Sequence, residues 1–357
     1  MVEFLIIGGG IAGLSAGARL VRLGPVLLLE GEDALGHHAS GRSAALYETD
    51  YGAPATVALA RASEAELVAL GVLSPRGVMV VAQAHEAVAY ARDCGDLRLA
   101  PLTLSEARTM VPILHPERVA FAGYTAQAQN IDTDRLLQSY ARQLREAGGQ
   151  IRTRARLVAL ARRDGLWHAT LADGAVVTAR RLVNAAGAWA DAVAVMAGLP
   201  ALGIRPYRRS IAQIPAPGGH DVSAWPMVFG AGETWYAKPE AGKLLVSPAE
   251  EDPTEPHDAW ADDMVLAEGL ARYEEMVTEP VTRVETSWAG LRSFSPDRAP
   301  VLGADPLEPS FLWCAGQGGQ GFLSAPGAAQ VMAAAAGGAL SSFAPAILAA
   351  LSPARFR

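Results

Sequence analysis

The stretch Val2-Glu3-Phe4-Leu5-Ile6-Ile7-Gly8-Gly9-Gly10-Ile11-Ala12-Gly13 decides the fold of this protein. An apolar strand enters a Gly-x-Gly-x-x-Gly loop, and the small and aliphatic residues that follow predict a helix over Leu14 to Leu23. Gly8 allows a tight turn, Gly10 lets a pyrophosphate approach the backbone, and Gly13 lets the helix pack closely on the strand. Because a helix N-terminus carries free N–H groups and positive potential, we expect it to face the phosphates of a dinucleotide.

The residues after this helix complete a βαβ unit. Gly24-Pro25 ends the helix, and Val26 to Leu29 predicts the second strand. Glu30 follows that strand, about 20 residues after the glycine loop, where a carboxylate accepts hydrogen bonds from ribose hydroxyls. The combination predicts a Rossmann-like nucleotide-binding domain.

The rest of the chain alternates between helical and strand-rich regions. Helices are predicted over Thr56 to Leu70 and Arg135 to Ala147, and strands over Val78 to Val81, Val158 to Arg162, Trp167 to Leu171, Val176 to Ala179 and Leu182 to Asn184. A second strand-rich region runs from Arg205 to Ser247, with a hairpin turn at Glu240-Ala241-Gly242. The strand, glycine loop and helix pattern returns from Phe311 onward. A length of 357 residues predicts about two domains.

Composition excludes several classes of protein. Half of the residues are apolar and 19% are charged, which is typical of a globular protein, and the net charge of −7 argues against a nucleic-acid partner. The cysteines, Cys94 and Cys314, have no metal-ligand spacing, so we expect neither a disulfide framework nor a metal site. A cytoplasmic location is expected, because signal-peptide cleavage would remove the strand that the glycine loop needs.

An uncharged run from Val331 to Leu351 is long enough to cross a membrane. It is rich in Ala and Gly, and Ser341-Ser342 and Pro345 interrupt it, so its lipophilicity is low. We therefore predict a buried C-terminal helix followed by a loop, and no membrane span.

Two further segments favour FAD over NAD. Ser40-Gly41-Arg42-Ser43-Ala44-Ala45 can place small side chains and N–H groups along a long cofactor, with Arg42 either a phosphate partner or a solvated charge. Gly316-Gln317-Gly318-Gly319-Gln320-Gly321 leads into an Ala-rich helix, whose N-terminus would stabilise the negative charge that a flavin gains on reduction. The alternative for this second loop is a flexible surface loop.

The chain resembles the D-amino-acid oxidase superfamily of flavoenzymes over essentially its whole length, and most closely the bacterial D-arginine or broad-range D-amino-acid dehydrogenases. The segments that carry the resemblance are Gly8 to Gly13 with Glu30, His38-Ala39-Ser40-Gly41-Arg42-Ser43-Ala44-Ala45, Asn184-Ala185-Ala186-Gly187-Ala188-Trp189, Trp288-Ala289-Gly290-Leu291-Arg292-Ser293-Phe294, and Gln317 to Gly321. Their combination and order are highly specific.

The resemblance implies a two-domain α/β (α+β) fold with non-covalent FAD. A Rossmann-like FAD-binding domain of glutathione-reductase type is expected from residues 1–76, 130–200 and 295–357. A substrate domain with a mixed, largely antiparallel sheet and helices is expected from residues 77–129 and 201–294. The expected cofactor-binding residues are Gly8, Gly10, Ile11, Ala12, Gly13, Glu30, Gly31, Ala39, Ser40, Gly41, Arg42, Ser43, Ala44, Ala45, Leu157, Val158, Ala186, Gly187, Trp189, Gln317, Gly318, Gly319, Gly321 and Phe322.

For the substrate, the resemblance implies catalytic roles for Tyr51, Arg209, Tyr236 and Arg292. A guanidinium can hold a carboxylate through two parallel hydrogen bonds, so arginines over the flavin would clamp an amino acid, and the tyrosine hydroxyls would complete its orientation. The residues alone leave Arg208 and Arg209 as equal candidates, because neighbouring side chains on a strand point to opposite faces.

The expected side-chain pocket contains Leu46, Val78, Gln320 and Leu323. D-arginine enzymes carry a glutamate where this chain has Val78, a histidine where it has Leu46, and a glutamine where it has Leu323. Burying a substrate cation without an anionic partner is costly, so we expect a preference for neutral or hydrophobic side chains. The alternative is that another acid, Glu48 or Asp50, replaces the missing one.

The resemblance therefore implies oxidative deamination of free D-amino acids, with hydride transfer from Cα to flavin N5 and hydrolysis of the imino acid to a 2-oxo acid and ammonia. Alternatives are oxidation of a secondary amine (sarcosine, glycine or proline) or a 2-hydroxy acid on the same scaffold, an NAD-dependent enzyme, and a flavin-binding protein with a sensing role. The electron acceptor, whether oxygen, a quinone or a dye-like carrier, is left open. A monomer or small homo-oligomer is expected.

Overall fold

The computed structural model describes residues 1–339 and 342–357. Ser341, one of the serines expected to interrupt the uncharged C-terminal run, lies outside the described residues. The α-helices are α1 Ile11–Leu20, α2 Pro54–Ala69, α3 Ala87–Asp96, α4 Leu104–Met110, α5 Thr133–Glu146, α6 Ala190–Met196, α7 Asp263–Glu274, α8 Gly321–Ala335 and α9 Pro345–Leu351. The β-strands are β1 Val2–Ile7, β2 Val26–Leu29, β3 Leu46–Tyr47, β4 Leu73–Pro75, β5 Val78–Ala82, β6 Ala100–Leu102, β7 Phe121–Thr125, β8 Gln129–Ile131, β9 Gln150–Arg152, β10 Leu157–Arg163, β11 Leu166–Leu171, β12 Val176–Asn184, β13 Arg205–Ile214, β14 Met227–Gly230, β15 Tyr236–Glu240, β16 Lys243–Ser247, β17 Asp252–Pro253, β18 Thr286–Phe294, β19 Val301–Ala304 and β20 Phe311–Ala315.

The first sheet carries the predicted βαβ unit. Within residues 1–339 and 342–357 it has eight strands in the order β10-β11-β12-β1-β2-β9, with β20 beside β12 and β19 beside β20. β1 pairs in parallel with β2 and β12, and β12 pairs in parallel with β20. The carboxyl ends of these strands therefore lie at one edge of the sheet, where both glycine loops follow.

One helix and one strand in this part of the chain differ from the predicted elements. α1 begins at Ile11, earlier than predicted, because Gly10 is its N-cap and the end of the glycine loop already forms the first turn. The predicted strands Val176 to Ala179 and Leu182 to Asn184 are one continuous strand, β12. Arg180 and Arg181, which lie between the two predicted strands, both pair with Glu3 of the adjacent strand, and the backbone stays extended there.

Helices cover both faces of the first sheet. Leu14 of α1, Leu144 of α5 and Met332 of α8 are fully buried on one face. Trp167 and Trp313, almost fully buried, pack with α6 on the other. This packing fixes the sheet edge from which the glycine loops emerge. No helix in the described residues is both long enough and apolar enough to span a membrane.

The second sheet is mixed and largely antiparallel, as predicted. Among the described residues it has nine strands in the order β17-β13-β16-β15-β14-β5-β7-β6, with β18 beside β13. β14 and β5 are parallel, whereas the other paired neighbours are antiparallel. The predicted hairpin turn is formed by Ala241 and Gly242, which have φ angles of 50° and 75°. The chain thus has the predicted fold class.

We propose that the expected domain segments, 1–76, 130–200 and 295–357 against 77–129 and 201–294, fold as two units. All strands of the first sheet fall within residues 1–76, 130–200 and 295–357. All strands of the second sheet fall within residues 77–129 and 201–294. A small three-stranded sheet, β3-β8-β4, lies where the two sets join.

Candidate active site

A cavity of about 570 Å³ is lined by strands of the second sheet and by the glycine loops and turns that follow strands of the first sheet. Of the residues predicted from the sequence, it is lined by Gly10, Ile11, Ala12, Ala39, Ser40, Arg42, Ser43, Ala44, Ala45, Leu46, Tyr51, Val78, Gly187, Arg209, Tyr236, Arg292, Gln317, Gly318, Gly319, Gln320, Gly321, Phe322 and Leu323. The structure thus brings the predicted substrate residues and the inner part of the predicted cofactor site to one space.

The first glycine loop has the geometry that a pyrophosphate requires. Gly8 has a φ of 110°, and a Cβ on Gly13 would lie 1.9 Å from the Gly8 carbonyl oxygen. The N-cap of α1, Gly10, provides no side-chain cap, while the Ile11 N–H donates to Ser40 Oγ at 3.0 Å. The first turn of α1 therefore retains N–H groups that can bind an anion.

Glu30 is held rigidly at the end of β2. Its two carboxylate oxygens accept the backbone N–H groups of Gly9 and Glu32, at 2.7 and 2.9 Å. This arrangement fixes the carboxylate beside the glycine loop, where ribose hydroxyls can donate to its remaining lone pairs.

The second glycine loop packs tightly against β18. The Gly318 N–H donates to the Ser293 carbonyl at 2.9 Å, and a Cβ on Gly318 would lie 2.2 Å from the Phe294 ring. Gln320, the N-cap of α8, makes no capping hydrogen bond with its side chain. Instead, its amide donates to the Tyr51 carbonyl at 2.6 Å. The N-terminus of α8 thus keeps N–H groups that the Gln320 side chain does not cap, and its contact with the flavin stays a prediction.

Arg42 was expected to be a phosphate partner or a solvated charge. The second alternative is wrong, because its guanidinium donates to the carbonyls of Ala259 and Ala289, at 2.7 and 3.0 Å, and pairs with Asp258. In return, Trp288 Nε1 donates to the Arg42 carbonyl at 3.2 Å. Arg42 therefore joins the turn at Ala39–Arg42 to the second sheet. Contact of Arg42 with a phosphate stays a prediction.

Several residues predicted to bind the cofactor do not line the cavity: Gly8, Gly13, Glu30, Gly31, Gly41, Leu157, Val158, Ala186 and Trp189. Gly41 packs against Gly36, to which its N–H donates at 2.6 Å. Val158 lies on the outermost strand of the first sheet and is 48% exposed. The indole of Trp189 lies 4.7 Å from the His38 ring. Contact of these residues with FAD stays a prediction.

Strand register places both predicted arginines on one face of the second sheet. In the antiparallel pair β13–β18, Arg209 lies opposite Gly290 and Arg292 lies opposite Tyr207. Since directly opposed residues share a face and faces alternate along a strand, Arg209 and Arg292 point the same way. Arg208 points to the other face, where it pairs with Asp252 at 2.9 Å. Of the two arginines that the sequence left as equal candidates, Arg209 lines the cavity and Arg208 does not.

The two guanidinium groups are close enough to repel each other. Arg209 is 6% exposed, and burial followed by the positive charge of Arg292 lowers its pKa. Glu251 accepts a hydrogen bond from Arg209 Nη2 at 3.2 Å, and the buried Arg209 Nε has no hydrogen-bond partner among the residues that the structure describes. The Arg292 guanidinium lies against Gly319, where a Cβ would be 2.9 Å from Arg292 Cζ. An anionic ligand here would relieve the repulsion.

The predicted tyrosines lie on different parts of the cavity wall. Tyr236, on β15, is 3% exposed and packs beside Phe229, with ring centroids 5.7 Å apart. Tyr51 is 39% exposed overall. Burial of its hydroxyl raises its pKa, and the carboxylate of Glu233 raises it further.

The pocket wall combines the predicted apolar side chains with acids that sequence reasoning largely missed. Apolar lining comes from Leu46, Val78, Val80, Ile211, Met227, Phe229 and Leu323. Glu48, Asp93, Asp96, Glu233, Glu251 and the cation Arg298 also line the cavity. Glu48 was one of the two acids considered as a replacement for the missing glutamate. It lies two residues after Leu46, and this spacing, which puts two side chains on the same side of an extended chain, was the sequence signal that placed it near the pocket. Asp50, the other, does not line the cavity and pairs with Arg61 and Arg98.

A group of potential metal ligands lies outside this cavity. Atoms of Glu32, His37 and His38 lie within 4.8 Å of one another, although no metal site was expected. His38 Nε2 is 3.2 Å from Glu32 Oε1, and His37 Nε2 is 3.5 Å from Asp258 Oδ2. These side chains thus have protein partners, and we assign no metal to them.

The fold and the cavity agree with the class of FAD-dependent oxidoreductases, in which the glycine loops of the first sheet and the second sheet enclose one cavity. Residues 3–335 match the family DAO, FAD dependent oxidoreductase. The chain belongs to this family, and FAD is its cofactor.

Relatives of known sequence or structure agree with this family. In an alignment of 344 positions, which covers 86% of this chain, the chain is 27% identical to the tRNA 5-methylaminomethyl-2-thiouridine biosynthesis bifunctional protein MnmC of Chromohalobacter salexigens, and it spans 46% of that protein. Glycine oxidase from Geobacillus kaustophilus has a TM-score of 0.83 and 23% identity, covering 97% of both chains. Iminodiacetate oxidase from Chelativorans sp. BNC1 has a TM-score of 0.81 and 22% identity, covering 98% of this chain and 99% of that one. The two structural similarities concern the fold.

Proposed function

We propose that this protein catalyses the FAD-dependent oxidative deamination of free D-amino acids. One observation carries the proposal: Arg209 and Arg292 share a face of the β13–β18 pair inside a cavity that is also lined by both cofactor loops. Two guanidinium groups this close call for an anionic ligand, and a carboxylate fits their paired donors.

The chemistry requires a substrate held at its carboxylate. Bound FAD supplies a two-electron acceptor for the Cα hydrogen and its electron pair. Arg209 and Arg292 would hold the carboxylate, while Tyr51 and Tyr236 fix its orientation. The substrate ammonium releases a proton to water, while a loop carbonyl could accept a hydrogen bond from the amine, and the imino acid formed takes up water to give a 2-oxo acid and ammonia.

The side-chain pocket supports an aliphatic chain next to Cα. Val78, 1% exposed, stands where related D-arginine enzymes carry a glutamate, and Leu46 and Leu323 line the cavity as well. The resemblance to D-amino-acid dehydrogenases in the motifs around Ser40, Trp189 and Arg292 supports the D configuration. We propose a preference for neutral or hydrophobic side chains along this part of the wall.

Oxidation of a secondary amine or a 2-hydroxy acid is the competing function. Its support is that the similar structures include an iminodiacetate oxidase and a glycine oxidase, whose named substrates are small amino carboxylates. Paired arginines suit these ligands equally well.

Anaerobic mixing of the purified holoenzyme with candidate substrates separates the two functions. D-methionine, D-phenylalanine and D-alanine should bleach the visible flavin absorbance, whereas their L-enantiomers, sarcosine, L-proline and L-2-hydroxy acids should not. Bleaching by sarcosine or proline alone would replace the proposal with the competing function. No bleaching by any D-amino acid would refute it.

A further inference from the structure

Glu233 is a partly buried residue of the cavity wall, in the turn that joins β14 to β15. Its φ angle is 55°, a left-handed conformation that residues with a side chain seldom adopt and that persists only where surrounding contacts hold it. Such contacts flank it on both sides. The Gly232 N–H donates to Asp93 Oδ2 at 2.6 Å, and Arg272 Nε donates to the Thr234 carbonyl at 2.9 Å. The turn therefore fixes the direction in which the Glu233 side chain leaves the backbone.

The Glu233 carboxylate lies in the same part of the cavity as the two arginines. Burial raises the pKa of the Tyr51 hydroxyl, and Glu233 raises it further through its charge and as a hydrogen-bond acceptor, whereas Arg292 and Arg209 lower it. Burial and the charge of Arg292 lower the pKa of Arg209, and Glu233 acts on it in the opposite direction. All four side chains line the cavity. An anion and two cations thus share one neighbourhood around the Tyr51 hydroxyl.

Glu233 differs from the other acid beside the arginines in having no cation bound to it. Glu251 accepts a hydrogen bond from Arg209 at 3.2 Å and pairs with Arg298 at 2.9 Å. Within residues 1–339 and 342–357, by contrast, no arginine, lysine or histidine forms an ion pair with Glu233. Because a partly buried carboxylate gains from a charged hydrogen-bond donor, a ligand cation would be favoured beside it.

We propose that Glu233 binds the α-ammonium of the substrate and thereby selects amino acids against 2-hydroxy acids. The ammonium and the carboxylate of a free amino acid are both bonded to Cα, so a site for them needs an anion close to its cations, as Glu233 is to Arg209 and Arg292. A 2-hydroxy acid offers the same carboxylate with a neutral hydroxyl. The inference rests on the proposed function and adds the distinction that paired arginines do not make.

Achiral ligands without a Cα hydrogen test this site independently of turnover. The holoenzyme is titrated with 2-aminoisobutyrate, 2-hydroxyisobutyrate and 2,2-dimethylpropanoate, which carry an ammonium, a hydroxyl and a methyl group on the same carbon. The perturbation of the flavin spectrum gives each dissociation constant. We expect 2-aminoisobutyrate to bind roughly tenfold or more tightly than either of the other two ligands. Equal binding of the three ligands, or tighter binding of the hydroxy acid, would overturn the proposal.

Two variants assign the selectivity to Glu233. Glu233→Gln keeps the shape of the side chain without its charge and should reduce the preference for the amine over the hydroxy acid to about twofold or less. Glu233→Gly should do the same without lowering the midpoint of thermal unfolding, because glycine adopts a positive φ without strain. An unchanged preference in either variant would overturn the proposal.

The matched control is Glu251→Gln, which removes the charge of the other acid that acts on Arg209. It should change the affinities for 2-aminoisobutyrate and 2-hydroxyisobutyrate by the same factor, so that their ratio stays as in the native protein. A loss of the ratio as large as that in Glu233→Gln would mean that the net charge of the cavity, and not a contact with Glu233, sets the preference.

Turnover then separates failure of the ammonium site from failure of the proposed function. D-methionine should be oxidised by Glu233→Gln with a kcat/KM roughly tenfold or more below that of the native protein. Selective binding of 2-aminoisobutyrate without flavin bleaching by any D-amino acid would keep the ammonium site and refute D-amino-acid oxidation. Oxidation of D-methionine with the same kcat/KM in both proteins would do the opposite.

Discussion

Gly13 packs so closely on Gly8 that a Cβ on Gly13 would lie 1.9 Å from the Gly8 carbonyl oxygen. This contact sets the distance between α1 and β1 and therefore the position of the N–H groups at the start of the helix. The third glycine of the motif acts through packing, because Gly13 does not line the cavity itself.

Gly13→Ala should destabilise the protein by about 1–3 kcal/mol, because the added methyl forces the helix away from the strand. It should also reduce the FAD retained on purification. Chemical unfolding and the ratio of flavin to protein absorbance measure both effects. The control is Gly95→Ala in α3, where nothing lies within 4 Å of the added Cβ. There the usual gain of about 0.5–1 kcal/mol from replacing a helical glycine is expected. Similar effects of both substitutions would contradict the packing role.

Arg209→Lys should lower kcat/KM for the substrate by about 10- to 100-fold, mainly through KM, because an ammonium cannot reproduce the paired donors of a guanidinium. Arg208→Lys is the matched control, since Arg208 is the neighbouring residue on the opposite face and pairs with Asp252. Steady-state measurements of kcat and KM for both variants test this prediction. Equal losses would place the carboxylate elsewhere.

Arg42→Met should destabilise the holoenzyme by about 1–3 kcal/mol, because it removes the donors to the Ala259 and Ala289 carbonyls while keeping the aliphatic stem. Arg180→Met, which removes an ion pair of 3.6 Å from a side chain 60% exposed, should change stability by less than about 0.5 kcal/mol. Urea unfolding with saturating FAD provides the comparison. If Arg42 instead binds a phosphate, the loss should appear in FAD affinity with unfolding unchanged.

Denaturation in acid should release all of the flavin from the polypeptide. Cys314 is the cysteine nearest in sequence to the second glycine loop, but it is 1% exposed and does not line the cavity. Burial raises its pKa to about 12, so the thiol stays protonated and unreactive. Absorbance spectra of the supernatant and of the precipitated protein show whether the flavin has been released. Yellow colour in the pellet would indicate a covalent bond.

The fold was largely accessible from the sequence because its signals are local. The glycine loop after β1 and the hairpin turn at Ala241-Gly242 depend on residues adjacent in the chain, and both are present. The continuity of β12 was missed, because Arg180 and Arg181 lie in a strand whose extended state is fixed by pairing with β1.

The candidate site was predictable to the extent that motifs mark it. Arg209 could not be distinguished from Arg208 by local pattern, since the choice depends on the register of β13 with β18. The partners of Arg42, Ala259 and Ala289, could not be found from the sequence because they are more than two hundred residues away in the chain. Glu233 and Glu251 belong to no motif and reach the cavity only through the folding of the second sheet.

The hydrogen bond from Gln320 to the Tyr51 carbonyl joins the segment proposed to contact the substrate to the glycine loop proposed to contact the flavin. We expect this bond to couple the positions of the two segments. Since such coupling is reciprocal in binding free energy, we expect a carboxylate ligand to raise the affinity for FAD by the same factor by which FAD raises the affinity for the carboxylate. Cofactor and substrate would thus act as effectors of each other within a single cavity.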